Sequence, residues 1–191
     1  GDHRHDHEGM EMQTRRRLKT RKHRAARTPR VSACLLSWKR PQNLPVIVAT
    51  LRQADFIDEI LIWNNNPELR LEVGDPITRV IDSEDNAMCY GRFLCAAEAR
   101  NRTIYVQDDD ALNHDIGGLY HEFLADPQRI THALSPSHYE LGWRQVYGAA
   151  HNALLGWGAF VRREWISVFN GLPASMFQDT LILREADKLC S

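Results

Sequence analysis

At 191 residues the chain is long enough for one domain with a full hydrophobic core, and 43% hydrophobic residues is the content of an ordinary globular protein. No apolar run in it approaches the roughly 18 residues that cross a bilayer, so no transmembrane segment is expected. The formal net charge of −1 hides an uneven distribution: residues 15–30 carry nine Arg or Lys and no acid, whereas from Val31 onward 14 basic residues face 21 acidic ones.

Residues 1–30 lack apolar periodicity and read as a disordered basic tail. His3, His5 and His7 in it are either a transition-metal chelate or a polar leader. The basic run suits an anionic partner or solvent alone. An acidic body with no aromatic-basic face argues against nucleic acid as that partner.

From Val31 the pattern changes. VSACLLSW (31–38) is an apolar run ending in a polar turn, KRPQN, as a buried strand does. Asn43 stands at the cap position of LPVIVATLRQA (44–54), a helix with Pro45 in its first turn. IDEILIWNNN (57–66) is a second strand, stopped by three asparagines and Pro67, and ITRVID (77–82) a third. DNAMCYGRFLCAAEAR (85–100) reads as a helix in which Met88, Phe93, Cys95 and Ala96 share a face. RTIYVQ (102–107) is the fourth strand, with Asp108, Asp109 and Asp110 at its C-terminal end. IGGLYHEFLAD (116–126) is a helix stopped before Pro127, and QRITHAL (128–134) a candidate strand.

This alternation predicts an α/β protein with a mainly parallel sheet and helices on both faces. Ligands of such sheets bind outside the carboxyl ends of the strands. Three polar clusters fall on that edge: Ser37 to Arg40, Asn64 to Asn66, and Asp108 to Asp110. Adjacent carboxylates repel and lose solvation near a core, so the triplet calls for a cation or a positive partner. Mg²⁺ or Mn²⁺ binds through one or two carboxylates plus substrate phosphates. Strand alternation points Asp108 and Asp110 the same way, one toward a nucleotide and one toward a metal. The alternative is a solvated acidic loop. Arg40 and Arg92 offer planar forks for phosphate, although Arg92 also reads as an exposed helix residue. Trp157, between glycines in GWG, is either a sugar-stacking platform or core. The cysteines, Cys34, Cys89, Cys95 and Cys190, form no CxxC pair. A buried free thiol at Cys34 favours a cytoplasmic setting, or the Golgi or ER lumen if an anchor precedes this chain.

Ser37-Trp38-Lys39-Arg40, Trp63-Asn64-Asn65 and Asp108-Asp109-Asp110, each at a strand end, resemble the GT-A fold of nucleotide-sugar-dependent glycosyltransferases. More narrowly, they are similar to glycosyltransferase family 64, the exostosin-like domain. Its first, second and fourth strands end in a Tyr-Asn-Arg-type turn, Trp-Asn-Asn and Asp-Asp-Asp. LLGWGAFVRREW (154–165) resembles that family's small-residue segment leading into an aromatic helix near the acceptor. The resemblance covers roughly residues 31–170, and residues 31–191 are expected to form one glycosyltransferase domain, with truncation of its C-terminal part the expectation where a late acidic pair of the family finds no good counterpart. It implies a UDP-sugar donor, a catalytic Mn²⁺ (or Mg²⁺) and a carbohydrate or other hydroxyl acceptor. By that resemblance Arg40 and Asn65 contact the nucleotide, Asp108 and Asp109 bind uridine, ribose or sugar hydroxyls, and Asp110 holds the metal. Ser37, Asn64, Arg92 and Trp157 complete the candidate substrate site. The family also carries a late acidic pair beside the transferred sugar, for which Asp179 is the nearest counterpart here. A competing enzyme class, the aspartyl phosphatases, places DxDx(T/V) after a strand. Leu112 departs from that motif, which also belongs on a first strand rather than a fourth.

Overall fold

A computed structural model of the chain describes residues 28–133 and 155–170. Six strands form one sheet in the order β3-β2-β1-β4-β6-β5: β1 (Val31–Ser37), β2 (Ile57–Asn64), β3 (Thr78–Asp82), β4 (Thr103–Asp108), β5 (Thr131–His132) and β6 (Ala159–Arg162). Strands β3, β2, β1 and β4 run parallel, whereas β6 is antiparallel to both β4 and β5. Among the described residues four α-helices accompany them: α1 (Leu44–Leu51), α2 (Gly91–Ala97), α3 (Ile116–Ala125) and α4 (Arg163–Asn170). The mainly parallel α/β sheet expected from the sequence is the observed one.

All seven residues of β1 are buried, as a strand covered on both faces requires. Its alternation divides the core into two layers. Ala33 and Leu35, with Ile60, Ile62, Tyr105 and Phe160, pack under α1 and α3. Cys34, with Leu61, Ile104, Val106 and Val161, packs under α2 and α4. Helices therefore cover both faces.

Chain order runs outward from β1 to β2 to β3, then crosses back to place β4 on the other side of β1. That reversal makes the β1–β4 crevice the topological switch point, where open α/β sheets bind their ligands. In register, Ser37 pairs with Asn64, Asn64 with Asp82, and Leu36 with Asp108. The three polar strand ends thus reach one edge of the sheet.

Several local expectations are corrected. Asn43 makes no side-chain cap to α1; a short 3₁₀ turn (Pro41–Asn43) precedes the helix instead. The helix expected over 85–100 shrinks to Gly91–Ala97, behind a 3₁₀ turn at Met88–Tyr90. Met88 does not share the buried face: its φ of 52° breaks the helix and leaves it partly exposed. The strand expected over 128–134 is two residues long, and β6, in the segment read as leading into an aromatic helix, was not foreseen. Four residues are too few to show a period. At the other end, Pro29 and Arg30 already touch the body: Tyr120 Oη donates to the Pro29 carbonyl (2.5 Å), and the Arg30 guanidinium to the Asp55 carbonyl.

Candidate functional site

At the switch point lies a cleft of about 350 Å³ lined by residues at and just beyond the ends of β1, β2 and β4, with others from the β3–α2 turn and α2. Among them are Arg40, Asn65, Arg92, Asp108, Asp109 and Asp110. The volume is in the range of small-ligand sites.

The three carboxylates of the triplet have three different partners. Asp109 is 5% exposed, and its Oδ2 accepts from the backbone N–H of Trp38 (2.8 Å) and of Arg40 (3.0 Å). The Ser37 hydroxyl lies 3.4 Å from the same oxygen, and Asn43 Nδ2 donates to the Asp109 carbonyl (2.8 Å). Asp109 therefore ties the β1 turn to the end of β4. Asn43 serves that tie rather than the helix.

Asp108 meets Arg92 in a two-pronged pair, Nε to Oδ1 at 2.7 Å and NH2 to Oδ2 at 2.5 Å. The guanidinium is buried, with 5% side-chain exposure, which removes the exposed-helix reading of Arg92. Planar, bidentate geometry is what arginine offers and lysine does not. Two glycines make the approach possible. A Cβ on Gly91 would stand 2.7 Å from Leu36 and Trp63, so only glycine lets α2 start this close to the strands. A Cβ on Gly156 would stand 2.4 Å from Asp108 Oδ2 and 2.7 Å from Arg92 NH2. The 3₁₀ turn Leu155–Trp157 thus lies directly against the ion pair.

Asp110 differs from both. Its side chain is 47% exposed, and its partner is the equally accessible Arg40, NH1 to Oδ2 at 2.9 Å. Partial burial, then the charge of Asp108, hold its carboxyl above the ordinary range; Arg40 opposes them and Asp109 adds to them. Of the three, Asp110 is the carboxylate that a further cation would most relieve.

The asparagines are engaged in shaping the cleft. Asn65 is 1% exposed; its Oδ1 accepts from Trp63 Nε1 (3.1 Å) and Ala87 N (3.1 Å), and its Nδ2 donates to the Met88 carbonyl (2.9 Å). Asn86 Oδ1 accepts from Met88 N (2.9 Å). These bonds hold Met88 in its left-handed conformation on the cleft wall, a strained arrangement for a non-glycine residue. Asn65→Ala should cost about 2–3 kcal/mol through buried groups left unpaired. Urea unfolding would measure it; a loss below about 0.5 kcal/mol would show that the turn holds without Asn65. Asn64 is also 1% exposed and lies off the cleft: Nδ2 donates to Leu69 O (2.6 Å) and Asp82 Oδ1 (2.8 Å). Asn64, and then Arg70, hold the Asp82 carboxyl below its ordinary range.

The cleft brings together Arg40, Asn65, Arg92 and the three aspartates. Ser37 and Asn64 are buried at the strand ends beside it. Trp157 is 42% exposed, outside the lining but next to Gly156. Asp179 and the basic tail up to residue 27 lie outside the described residues. Leu36, Trp38, Lys39, Asn86, Met88 and Cys89 complete the lining. Sequence reasoning missed Asn86 and Met88 because both were assigned to a helix. Among the described residues no three His, Cys, Asp or Glu side chains are grouped to hold a metal unaided, and no helix is long and apolar enough to cross a membrane.

No family model and no curated protein sequence matches the chain. Solved structures do. A mannosyltransferase of Pyrobaculum calidifontis, in complex with GDP-Man and Mn²⁺, superposes with a TM-score of 0.54 at 14% identity, covering 76% of this chain and 48% of that one. A CMP:2-keto-3-deoxy-manno-octonic acid synthetase complexed with CTP gives a TM-score of 0.55 at 12% identity, covering 84% of this chain and 85% of that one. The chain has a GT-A-like fold. It spans about half the length of the mannosyltransferase, and at these identities the likeness is one of fold. The exostosin-like resemblance rests on the three strand-end motifs.

Proposed function

We propose that this chain binds a nucleotide-sugar through a divalent cation on Asp110 and transfers the sugar to a hydroxyl acceptor. The observation that carries the reading is the unequal partnering of the triplet. Asp109 is tied to the backbone of the β1 turn and Asp108 to a buried arginine, which leaves Asp110 facing the cleft beside a displaceable one. A hard cation takes one or two carboxylates and completes its shell with phosphate oxygens and water, so one half-exposed aspartate fits it. The GT-A-like fold and the Mn²⁺ of the mannosyltransferase support the same reading.

When bound, such a cation stabilises the charge that develops on the departing nucleoside diphosphate. The residues of the chain supply the rest. Arg40 and Lys39 bring positive charge to the phosphates at the mouth of the cleft, and Leu36, Met88 and Cys89 offer the base an apolar wall. Arg92 holds Asp108 in a fixed orientation as an acceptor for ribose or sugar hydroxyls. Trp157 offers an aromatic face to the acceptor sugar. Asp179 is proposed as the acid beside the transferred sugar on the family resemblance alone. The phosphatase reading needs Asp108 as a free nucleophile, and a carboxylate with both oxygens on Arg92 is poorly placed to attack phosphorus.

A second reading is favoured by one observation: the chain spans 85% of the CTP-bound synthetase. In that case the cleft joins a nucleoside triphosphate to a sugar acid and releases diphosphate. Thermal unfolding with UDP, GDP, CDP, CTP and RNA, each with Mn²⁺ or with chelator, separates the readings. A nucleoside diphosphate at about 100 times its Kd should add roughly 2.7 kcal/mol of stability, a rise of several degrees that requires Mn²⁺. A shift with CTP alone would favour the synthetase chemistry. A shift with RNA and with no nucleotide would sink both.

A further inference from the structure

We infer that Arg40 is a displaceable counterion, which holds Asp110 in the empty cleft and passes to the phosphates when metal and nucleotide arrive together. The inference deepens the proposed function and rests on its placement of the cation at Asp110. Arg40 is attached at two points of different kind. Its backbone N–H is fixed on the buried Asp109, so the residue itself does not drift from the cleft. Its side chain is 54% exposed and meets Asp110 through one guanidinium nitrogen. An exposed pair of this kind is weak and exchangeable, unlike the buried fork of Arg92 on Asp108.

A guanidinium on Asp110 Oδ2 occupies the place a cation needs, and the two positive charges repel. Metal binding alone must therefore displace Arg40 with nothing to receive it. Nucleotide binding alone must bring a diphosphate toward Asp108, Asp109 and Asp110, with Arg40 still engaged. When both arrive, the cation takes the carboxylate and the freed fork finds phosphate oxygens. Arg40 thereby makes each ligand favour the other, a coupling that is reciprocal by linkage.

The experiment titrates Mn²⁺ alone, and then UDP and GDP at saturating Mn²⁺, into the wild-type chain, Arg40→Gln and Arg40→Lys. All three keep the backbone N–H that anchors residue 40 on Asp109, and equal thermal midpoints establish that they fold alike. For Arg40→Gln, Mn²⁺ alone should bind about two- to fivefold tighter, since a competing exposed ion pair is gone. Nucleotide at saturating Mn²⁺ should bind about tenfold more weakly, since a charged hydrogen-bond donor is lost. Arg40→Lys keeps a point charge and should stay within about twofold of wild type for Mn²⁺ alone. Mn²⁺ affinity that is unchanged or weaker in Arg40→Gln, or undetectable in both proteins, overturns the inference. Absence of any metal-dependent nucleotide binding to the wild type is a separate result, which overturns the proposed function.

Discussion

Asp110→Asn should weaken metal-dependent nucleotide binding by about tenfold or more, and should leave binding unchanged or slightly tighter once the metal is chelated. Asparagine keeps the shape and one oxygen but removes the charge a hard cation prefers. The nucleotide then loses its bridge and meets Asp108 and Asp109 with less compensation. Without metal the sign reverses, because the substitution removes one carboxylate that repels an anion. Stability should barely move, since the side chain's ion pair is with exposed Arg40 alone. The pH dependence follows from the raised carboxyl of Asp110. A group whose folded pKa is raised is less stable ionised in the fold than unfolded. Its penalty applies above the folded pKa and is relieved as pH falls through it toward the unfolded value. Metal binding needs the ionised form, so metal-dependent affinity should fade as pH drops through that raised value. Calorimetric titration with Mn²⁺ and with chelator checks both signs, and equal affinities across all four conditions would remove Asp110 from the site.

The largest effect on stability belongs to Arg92. Arg92→Met should destabilise the fold by about 2–4 kcal/mol, because it leaves the Asp108 carboxylate against the Leu155–Trp157 turn with no counter-charge. For a chain of this size that is a fall in Tm of roughly 5–15 °C. Asp108 is 23% exposed on its side chain, so water relieves part of the cost and the loss stays below that of a fully buried pair. The double variant Arg92→Met/Asp108→Leu should recover most of the loss, since a buried pair replaced on both sides by apolar groups is often neutral. Urea unfolding of the four proteins closes the cycle. A single-variant loss under about 0.5 kcal/mol would show that the pair does not bind α2 to β4. Asp110→Asn and Arg92→Met therefore separate two neighbouring charges by consequence, one through ligand and one through fold.

The fold was legible because its causes are local and periodic. Strand β1 carries five apolar residues among its seven, and all seven are buried, as a strand covered on both faces requires. Pro127 ends α3, and three asparagines and Pro67 end β2, as residues that stop regular structure do. Errors came where tertiary contacts override propensity. Residues 85–90 have a helical pattern, yet the buried amide of Asn65 and the side chain of Asn86 hold Met88 at positive φ and delay α2 to Gly91.

By itself the sequence determined the parallel strands β1 to β4, the edge on which their polar clusters gather, and the presence of three like charges needing relief. Those follow from the period of the side chains and from Coulomb repulsion between neighbours. Which carboxylate answers to which partner was decided only by the tertiary structure. Trp38 and Arg40 reach Asp109 from residues about seventy positions away, and Arg92 reaches Asp108 because Gly91 and Gly156 let two backbones close on the pair. Long-range contacts of this kind leave no period in the chain, since the distance that matters is across the sheet and not along it. Three identical residues in a row thus became a tether, a buried ion pair and an accessible carboxylate, and only folding told them apart.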